Sequence, residues 1–158
     1  MNRRKENECM NWTVKSFKQL STEELYEIIR LRIEVFVVEQ QCPYQELDEK
    51  DQQAFHLLGK ENGELKAYSR LFESGVVAED ASIGRVIVKE SARGKGYGQV
   101  LLSHSIEYLE KRGEEKSILI HAQQYLERFY QSFGFDPISE VYLLDGIDHL
   151  DMRRRLTR

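Results

Sequence analysis

The sequence is poor in several of the features that build or place specialised chains. It has two cysteines, Cys9 and Cys42. That is too few for a disulfide scaffold, and they lack the paired spacing of a structural zinc site, so they read as free thiols in a reducing compartment. It has two prolines, Pro43 and Pro137, and no repeat, low-complexity tract or Pro/Gly/Ser-rich linker. Nothing therefore divides the chain, and a single domain over residues 11–158 is expected behind a polar, flexible arm over 1–10. Long apolar runs are also missing. Stretches such as Val35 to Val38 and Val141 to Leu144 are short, whereas a membrane span needs about 20 apolar residues. The arm carries Arg3, Arg4, Lys5, Glu6 and Glu8 with no apolar stretch after them, which argues against a secretory signal. Membrane partners are not expected, and a cytoplasmic location is. Finally, 23 Lys and Arg against 27 Asp and Glu leave a net charge of -4. The accumulated positive charge that drives binding to phosphate backbones is absent, so nucleic acid is not an expected partner.

What is present suits one enzyme-sized domain, since 158 residues can bury about 70% of the unfolded surface on folding. Trp12, Val14 and Phe17 supply a first strand. Ser21 followed by Glu24 is a capping box, and Leu25, Ile28, Ile29, Ile33 and Phe36 recur at helical spacing after it. Residues 37–51 have no sustained period and contain Pro43, which predicts an ordered loop with at most a helical turn. Asn62-Gly63 between strand-like runs over 54–60 and 65–72 is a hairpin signal. A third strand over 81–88 leads through a glycine-rich turn into a helix striped by Leu101, Leu102, Ile106 and Leu109, ending near Arg112 and Gly113. A buried-looking strand over 117–122 and a short helix over 125–133 stopped by Gly134 follow, then strand material at Phe135, 141–144 and 149–156. An antiparallel meander, then a βαβ step, then more strand predicts an α/β (α+β) fold. Its sheet is mixed but mostly antiparallel, with helices on both faces.

The stretch from Val86 to Gly98 carries the most chemical information. An apolar strand runs into Arg93-Gly94-Lys95-Gly96-Tyr97-Gly98 at a helix start. Helix N-termini present unpaired N–H groups and partial positive charge, and glycine lets an anion approach the backbone. Three alternate glycines cost roughly 1 kcal/mol each once helical, so packing alone explains them poorly. Arg93 and Lys95 add cationic charge. A triphosphate-binding P-loop is excluded because Tyr97 stands where Ser or Thr is needed. A dinucleotide fingerprint is weak because Gln99 stands at its third glycine and the strand over 117–122 ends without an acidic residue.

Arg93 to Gly98 resembles the Arg/Gln-x-x-Gly-x-Gly/Ala acetyl-CoA loop of the GCN5-related N-acetyltransferases, and the surrounding order of elements resembles their fold from about Trp12 to Leu156. Within that superfamily, Leu31 to Gln40, Cys42-Pro43-Tyr44 and Asp145 to Met152 look like the ElaA subfamily. The resemblance implies acetyl transfer from acetyl-CoA to a primary amine, small-molecule or peptide, by direct attack in a ternary complex and without a metal. Val86 and Val88 are implied to bond the pantetheine through their backbone, and the N–H groups of Arg93, Gly94, Lys95, Gly96, Tyr97 and Gly98 to hold the pyrophosphate. Gln123 stands where family members often carry an Asn that meets the cofactor. Tyr130, four residues before Gly134-Phe135, matches the tyrosine that protonates the departing thiolate. Spacing alone reads Tyr130 equally as a core aromatic beside Phe129 and Phe133.

The acceptor side is less legible. An ammonium of pKa about 10.4 must lose a proton before attack, and Glu39, Asp51, His56 and His121 are the candidate bases. His121 ends the strand where the family opens its cleft, although a lone His there is more often structural. His104 and His149 lack metal-spaced partners. Arg32 falls in the apolar helix stripe and needs a partner; it either ties to Glu46, Asp48 or Asp51 or faces the acceptor. Phe36, Tyr44 and Cys42 are candidate wall residues, with core packing the alternative for Phe36 and Cys42. The carboxylates Glu39, Glu46, Asp48 and Asp51 either draw a cationic acceptor or form an acidic loop tied down by Arg32. Two further readings stay open: Arg32, Phe36, Glu46, Asp48, Asp51 and Arg70 also resemble acyl-homoserine-lactone synthases, and the domain could bind CoA without turnover. Self-association into a homodimer is likewise open.

Overall fold

The computed structural model describes residues 10–112 and 114–156. Residues 1–9 of the expected arm over 1–10, Cys9 among them, and Gly113 at the expected helix end lie outside them. The chain begins with β1 (Asn11–Ser16) and a 3-10 turn over Phe17–Gln19, then α1 (Thr22–Ile33), which continues without a break as a π-helical turn over Glu34–Glu39. Ser21 caps α1 as expected: its Oγ accepts from the Glu24 N–H at 3.1 Å while Glu24 Oε1 accepts from the Ser21 N–H at 3.0 Å. The buried stripe of α1 and its π-turn shares Ile28 with the expected one but is otherwise rotated from it. Glu24, Ile28, Leu31, Arg32 and Val35 are buried, and Leu25, Ile29, Ile33 and Phe36 sit on its flanks. The sequence pattern was ambiguous by one position because polar Glu24 and Arg32 occupy core-facing sites.

A hairpin of β2 (Phe55–Glu61) and β3 (Glu64–Phe72) turns at Asn62-Gly63, both with positive φ. β4 (Ala81–Val88), α2 (Tyr97–Lys111) and β5 (Ser117–Gln123) form the predicted βαβ step. A 3-10 turn over Gln124–Leu126 leads into α3 (Glu127–Gln131), then β6 (Asp136–Pro137), β7 (Tyr142–Leu144) and β8 (Ile147–Arg155). The sheet order is β1-β2-β3-β4-β5-β8-β6, with β7 pairing β8, and among the described residues only β4 and β5 run parallel. Helices cover both faces. Ile28 and Leu31 of α1, with Val35 of the π-turn, pack on Leu58, Leu65, Tyr68 and Ile87. Leu101, Leu102, Ile106 and Leu109 of α2, with Tyr130 of α3, pack on Leu57, Ala67, Leu71, Ile118 and Ile120. The middle strands β2, β3 and β4 thus bury side chains on both sides, which accounts for their near-continuous apolar runs. No helix among the described residues is long and apolar enough to cross a membrane.

Candidate active site

The site begins with a local failure of strand pairing. β4 and β5 pair only at Ala81 with Ile118 and Ser82 with Leu119. Beyond Ser82, β4 has no strand partner on that side among the described residues, and the two strands part around a cleft of about 960 Å³. A bulge accompanies the parting. On the β3 side, Tyr68 pairs with Ile87 and Arg70 with Gly84, so that Arg85 and Val86 together oppose Ser69. An extra residue bends a strand and strengthens its twist. Arg85 takes φ of 50° to make the turn, a strained conformation for a side chain that persists only when the surroundings hold it. They do: Arg85 Nε donates to Glu46 Oε1 at 2.7 Å, and its guanidinium lies 5.8 Å over the Phe36 ring. Val86 and Val88, the expected pantetheine contacts, both line the cleft. The Val88 carbonyl already accepts from Arg93 Nε at 3.0 Å and keeps a second lone pair.

The glycine-rich turn stands at the cleft's mouth. Gly94 and Gly96 both have φ of 81°, and nothing lies within 4 Å of where a Cβ would project. The backbone there is both accessible and conformationally reserved for glycine. Gly96 is the N-cap of α2 and no side chain caps that end, which leaves first-turn N–H groups for an anion. Gly98 is different. It has ordinary helical geometry and lines the cleft, and a Cβ there would make ordinary contacts with Val88 and Phe129 at 3.8 and 3.9 Å, so neither backbone nor space reserves the position for glycine. The charges divide as well. Arg93 is neutralised by a bidentate pair with Glu39 at 2.7 and 2.8 Å. That hydrogen bond, opposed by partial burial, holds the Glu39 carboxyl below its usual range. Arg93 therefore ties the loop to the end of the π-turn, and Lys95, half-exposed and 3.9 Å from Glu61, supplies positive charge at the surface. Tyr97 donates to Glu61 Oε2 at 3.0 Å and anchors the turn.

Gln123 and Tyr130 form the opposite wall. Gln123 Nε2 donates to Gln40 Oε1 at 3.3 Å, a long bond across the cleft to the end of the π-turn. Tyr130 is 4% exposed. Its ring packs edge-on against Phe129 and Phe135 at 5.3 and 6.1 Å between centroids. Its hydroxyl makes no hydrogen bond among the described residues, and burial pushes the phenol well above its ordinary pKa. The two readings of this residue are compatible: the ring is core, and the residue also lines the cleft.

On the acceptor side the structure corrects several expectations. Arg32 does not line the cleft. Its side chain is 1% exposed, with Nε donating to Glu46 Oε1 at 2.8 Å and Nη1 to Asp51 Oδ1 at 2.6 Å. Arg70 in turn pairs with Asp48 through both terminal nitrogens at 2.8 Å and with Asp51 at 2.9 Å. Three guanidinium groups, Arg32, Arg70 and Arg85, thus face the three carboxylates Glu46, Asp48 and Asp51. The loop is electrically balanced, so it is a tie and not a lure for cations. Burial works to raise the Asp51 pKa, but hydrogen bonds and charge from Arg32 and Arg70 win and hold it below its usual range. Asp51 is therefore removed from the candidate bases, and Glu39 is occupied by Arg93. His56 is fully buried between Tyr68 Oη at 2.7 Å and the Asp51 carbonyl at 2.9 Å. Desolvation lowers its pKa, which keeps it a neutral structural residue. Phe36 and Cys42 do reach the cleft, and Cys42 Sγ donates to the Asp145 carbonyl at 3.1 Å, joining the loop to the β7–β8 turn.

His121 is the remaining candidate base. It lines the cleft with its side chain 60% exposed, and its Nδ1 lies 2.6 Å from Asp151 Oδ1. Tyr142 donates to the same oxygen at 2.6 Å. Partial burial raises the Asp151 pKa, but the bonds from Tyr142 and His121 outweigh it and hold the carboxyl below its usual range. Sequence reasoning missed Asp151, Tyr142 and Arg85. His121 and Asp151 are thirty positions apart and meet because the antiparallel β5–β8 register places them opposite each other. The one available signal was the pairing itself, which spacing along the chain does not reveal. Among the described residues no group of three or more His, Cys, Asp or Glu could hold a metal ion.

Comparison with known proteins accords with this architecture. A family model described as an acetyltransferase (GNAT) domain matches residues 17–156. The protein ElaA of Escherichia coli is 44% identical over 149 residues, covering 93% of this chain and 97% of ElaA. Its crystal structure superposes with a TM-score of 0.88, covering 93% of this chain and all of the other. An acyl-CoA N-acyltransferase from Pseudomonas aeruginosa is 39% identical, with a TM-score of 0.86 over 91% of this chain and 99% of that one. A CoA-dependent acyl-homoserine lactone synthase bound to SAM and isopentyl-CoA has a TM-score of 0.79 over 95% of this chain and 85% of its own. At 16% identity that likeness concerns the fold alone.

Proposed function

The chain belongs to the GNAT acetyltransferase family, and from that premise we propose that it moves an acetyl group from acetyl-CoA to a primary amine by direct attack in a ternary complex. The observation that carries this reading is the parting of β4 and β5 after two paired residues, with the open left-handed glycines of the α2 turn at the mouth. An extended pantetheine arm fits along the unpaired edge of β4 as a substitute strand, because both are linear arrays of amide donors and acceptors. Gly94, Gly96 and the start of α2 receive the pyrophosphate, and Lys95 adds its charge. The thioester then lies deep between Val86 and Tyr130, where a backbone N–H of β4 polarises its carbonyl.

Catalysis on this account is mostly positioning. The neutral amine nitrogen attacks the thioester carbon, a C–N bond forms, and the C–S bond breaks. Tyr130 gives its proton to the departing sulfur and recovers one from the new amide nitrogen, so the phenol ends as it began. Its raised pKa keeps the phenol in its protonated form. The residues behind the acyl-homoserine-lactone-synthase resemblance are, apart from Phe36, members of the internal ion network, which gives that second reading no support from geometry. The test is acetyl-CoA with 2-phenylethylamine, spermidine or a lysine-containing peptide, scored by thiol release and by acetylation of the amine in a mass spectrum. Acetyl-CoA binding without thiol release on any such amine would favour a CoA-binding domain instead.

A further inference from the structure

We propose that His121 is the general base of this site, taking a proton from the acceptor ammonium at Nε2, with Asp151 and Tyr142 as its positioning residues. The inference rests on the amine-transfer reading and deepens it. Asp151 Oδ1 sits 2.6 Å from His121 Nδ1, and a carboxylate can only accept, so the neutral ring carries its proton on Nδ1. That leaves a lone pair on Nε2, which makes no hydrogen bond among the described residues. Tyr142 has one proton and places it on the same Oδ1 at 2.6 Å, while its distance to His121 Nδ1 is 3.4 Å. The carboxylate is thereby fixed by two donors. Its strand is held too, since the Asp151 N–H donates to Ser139 Oγ at 2.9 Å and the Asp151 carbonyl accepts from the Ile138 N–H at 2.9 Å. His121 is thus at once exposed, tautomerically defined and on the cleft wall, whereas the other candidate bases are buried or ion-paired.

The proton balance closes. The ammonium gives one proton to Nε2, and the imidazolium is stabilised by Asp151 and discharges to water, to which it is 60% open. The second proton leaves the nitrogen after C–N bond formation and reaches the sulfur by way of Tyr130. The titratable groups flanking His121 are Asp151 and His149 on β8 and Tyr142 on β7, whose ring stacks on His149 at 6.1 Å.

The experiment pairs kinetics with a spectroscopic readout. With acetyl-CoA and the most active of the three amines, His121→Gln is expected to lower kcat by about 10²-fold or more and to leave acetyl-CoA affinity by calorimetry unchanged. In the variant only the free neutral amine can attack, so kcat/KM should climb with pH toward the amine's own pKa of about 10, unlike the wild type, and added imidazole should restore part of the activity of His121→Ala. Asp151→Asn, which weakens tautomer control, should lower kcat without raising the amine KM. Nitrogen NMR of the imidazoles needs no turnover: neutral His121 should show its proton on Nδ1. A neutral ring protonated on Nε2, or a His121→Gln variant with wild-type kcat and an unchanged pH profile, overturns the proposal. A wild type that binds acetyl-CoA, shows the expected tautomer and releases no thiol on any amine would instead refute the transfer reading, and this assignment of a base with it.

Discussion

Replacing Arg32 by Met separates a structural tie from an acceptor-binding residue. Met fills most of the volume of the arginine stem, so the perturbation is chiefly electrostatic. It deletes the bonds to Glu46 at 2.8 Å and Asp51 at 2.6 Å and leaves two guanidinium groups against three carboxylates. Breaking a buried pair from one side typically costs about 3–5 kcal/mol, because the remaining charge stays buried without its partner. Here the orphans are not abandoned: Glu46 keeps Arg85 at 2.7 Å and Asp51 keeps Arg70 at 2.9 Å. The lower end of the range, about 3 kcal/mol, is therefore expected. For a domain of this size that corresponds to a fall in Tm of roughly 6–12 °C. The assay is thermal unfolding by circular dichroism, beside calorimetric titration with acetyl-CoA, which should be unaltered because Arg32 does not line the cleft. A folded variant with wild-type Tm and a raised amine KM would refute the argument and return Arg32 to the acceptor site.

Tyr130→Phe preserves the ring packing and removes the only polar atom, so kcat for thiol release should fall by about 10²-fold while acetyl-CoA affinity holds; an unchanged kcat would take Tyr130 out of the chemistry. Glu24 is expected to be a source of acid sensitivity. Burial would raise its pKa, but the Ser21 N–H, Lys15 and Lys60 outweigh it and hold the pKa near about 2. A depressed pKa contributes stability above the ordinary glutamate value of about 4.3 and loses it as pH falls toward the folded value. Glu24→Gln should thus lower stability by about 2 kcal/mol at pH 7, and the gap in Tm should close between about pH 4 and pH 2. A gap that is constant across that window would show that the pairing is not what lowers the pKa.

The fold was legible where local chemistry and periodicity agreed. The Ser21–Glu24 box, the Asn62-Gly63 turn and the strand-loop-helix run through Gly98 each announce themselves over a few residues, and together they define the order of elements. The mouth of the site was legible for the same reason, since glycine at Gly94 and Gly96 is demanded by backbone geometry. What escaped was long-range. Arg32 looked like a polar intruder in an apolar stripe, and only the return of the loop bearing Glu46 and Asp51 shows it to be the centre of a balanced network. The bulge at Arg85 leaves no mark in the sequence, because a positive φ at a non-glycine residue is imposed by its partners. Asp151 gained its meaning from cross-strand register with His121.

The central claim, that the cleft between β4 and β5 is an acyl-CoA site with its anion end at the α2 turn, is tested most directly by calorimetric titration of CoA into wild type, Gly96→Asn and Gly96→Asp. Gly96 has φ of 81° with open space at the Cβ position, and Asn and Asp tolerate that region better than other side chains, so both variants should fold. The Asp side chain places a negative charge where the pyrophosphate sits, and it should weaken CoA binding at least tenfold relative to Asn, about 1.4 kcal/mol. Equal CoA affinity in folded Asn and Asp variants, or a wild type that binds no CoA, would contradict the account.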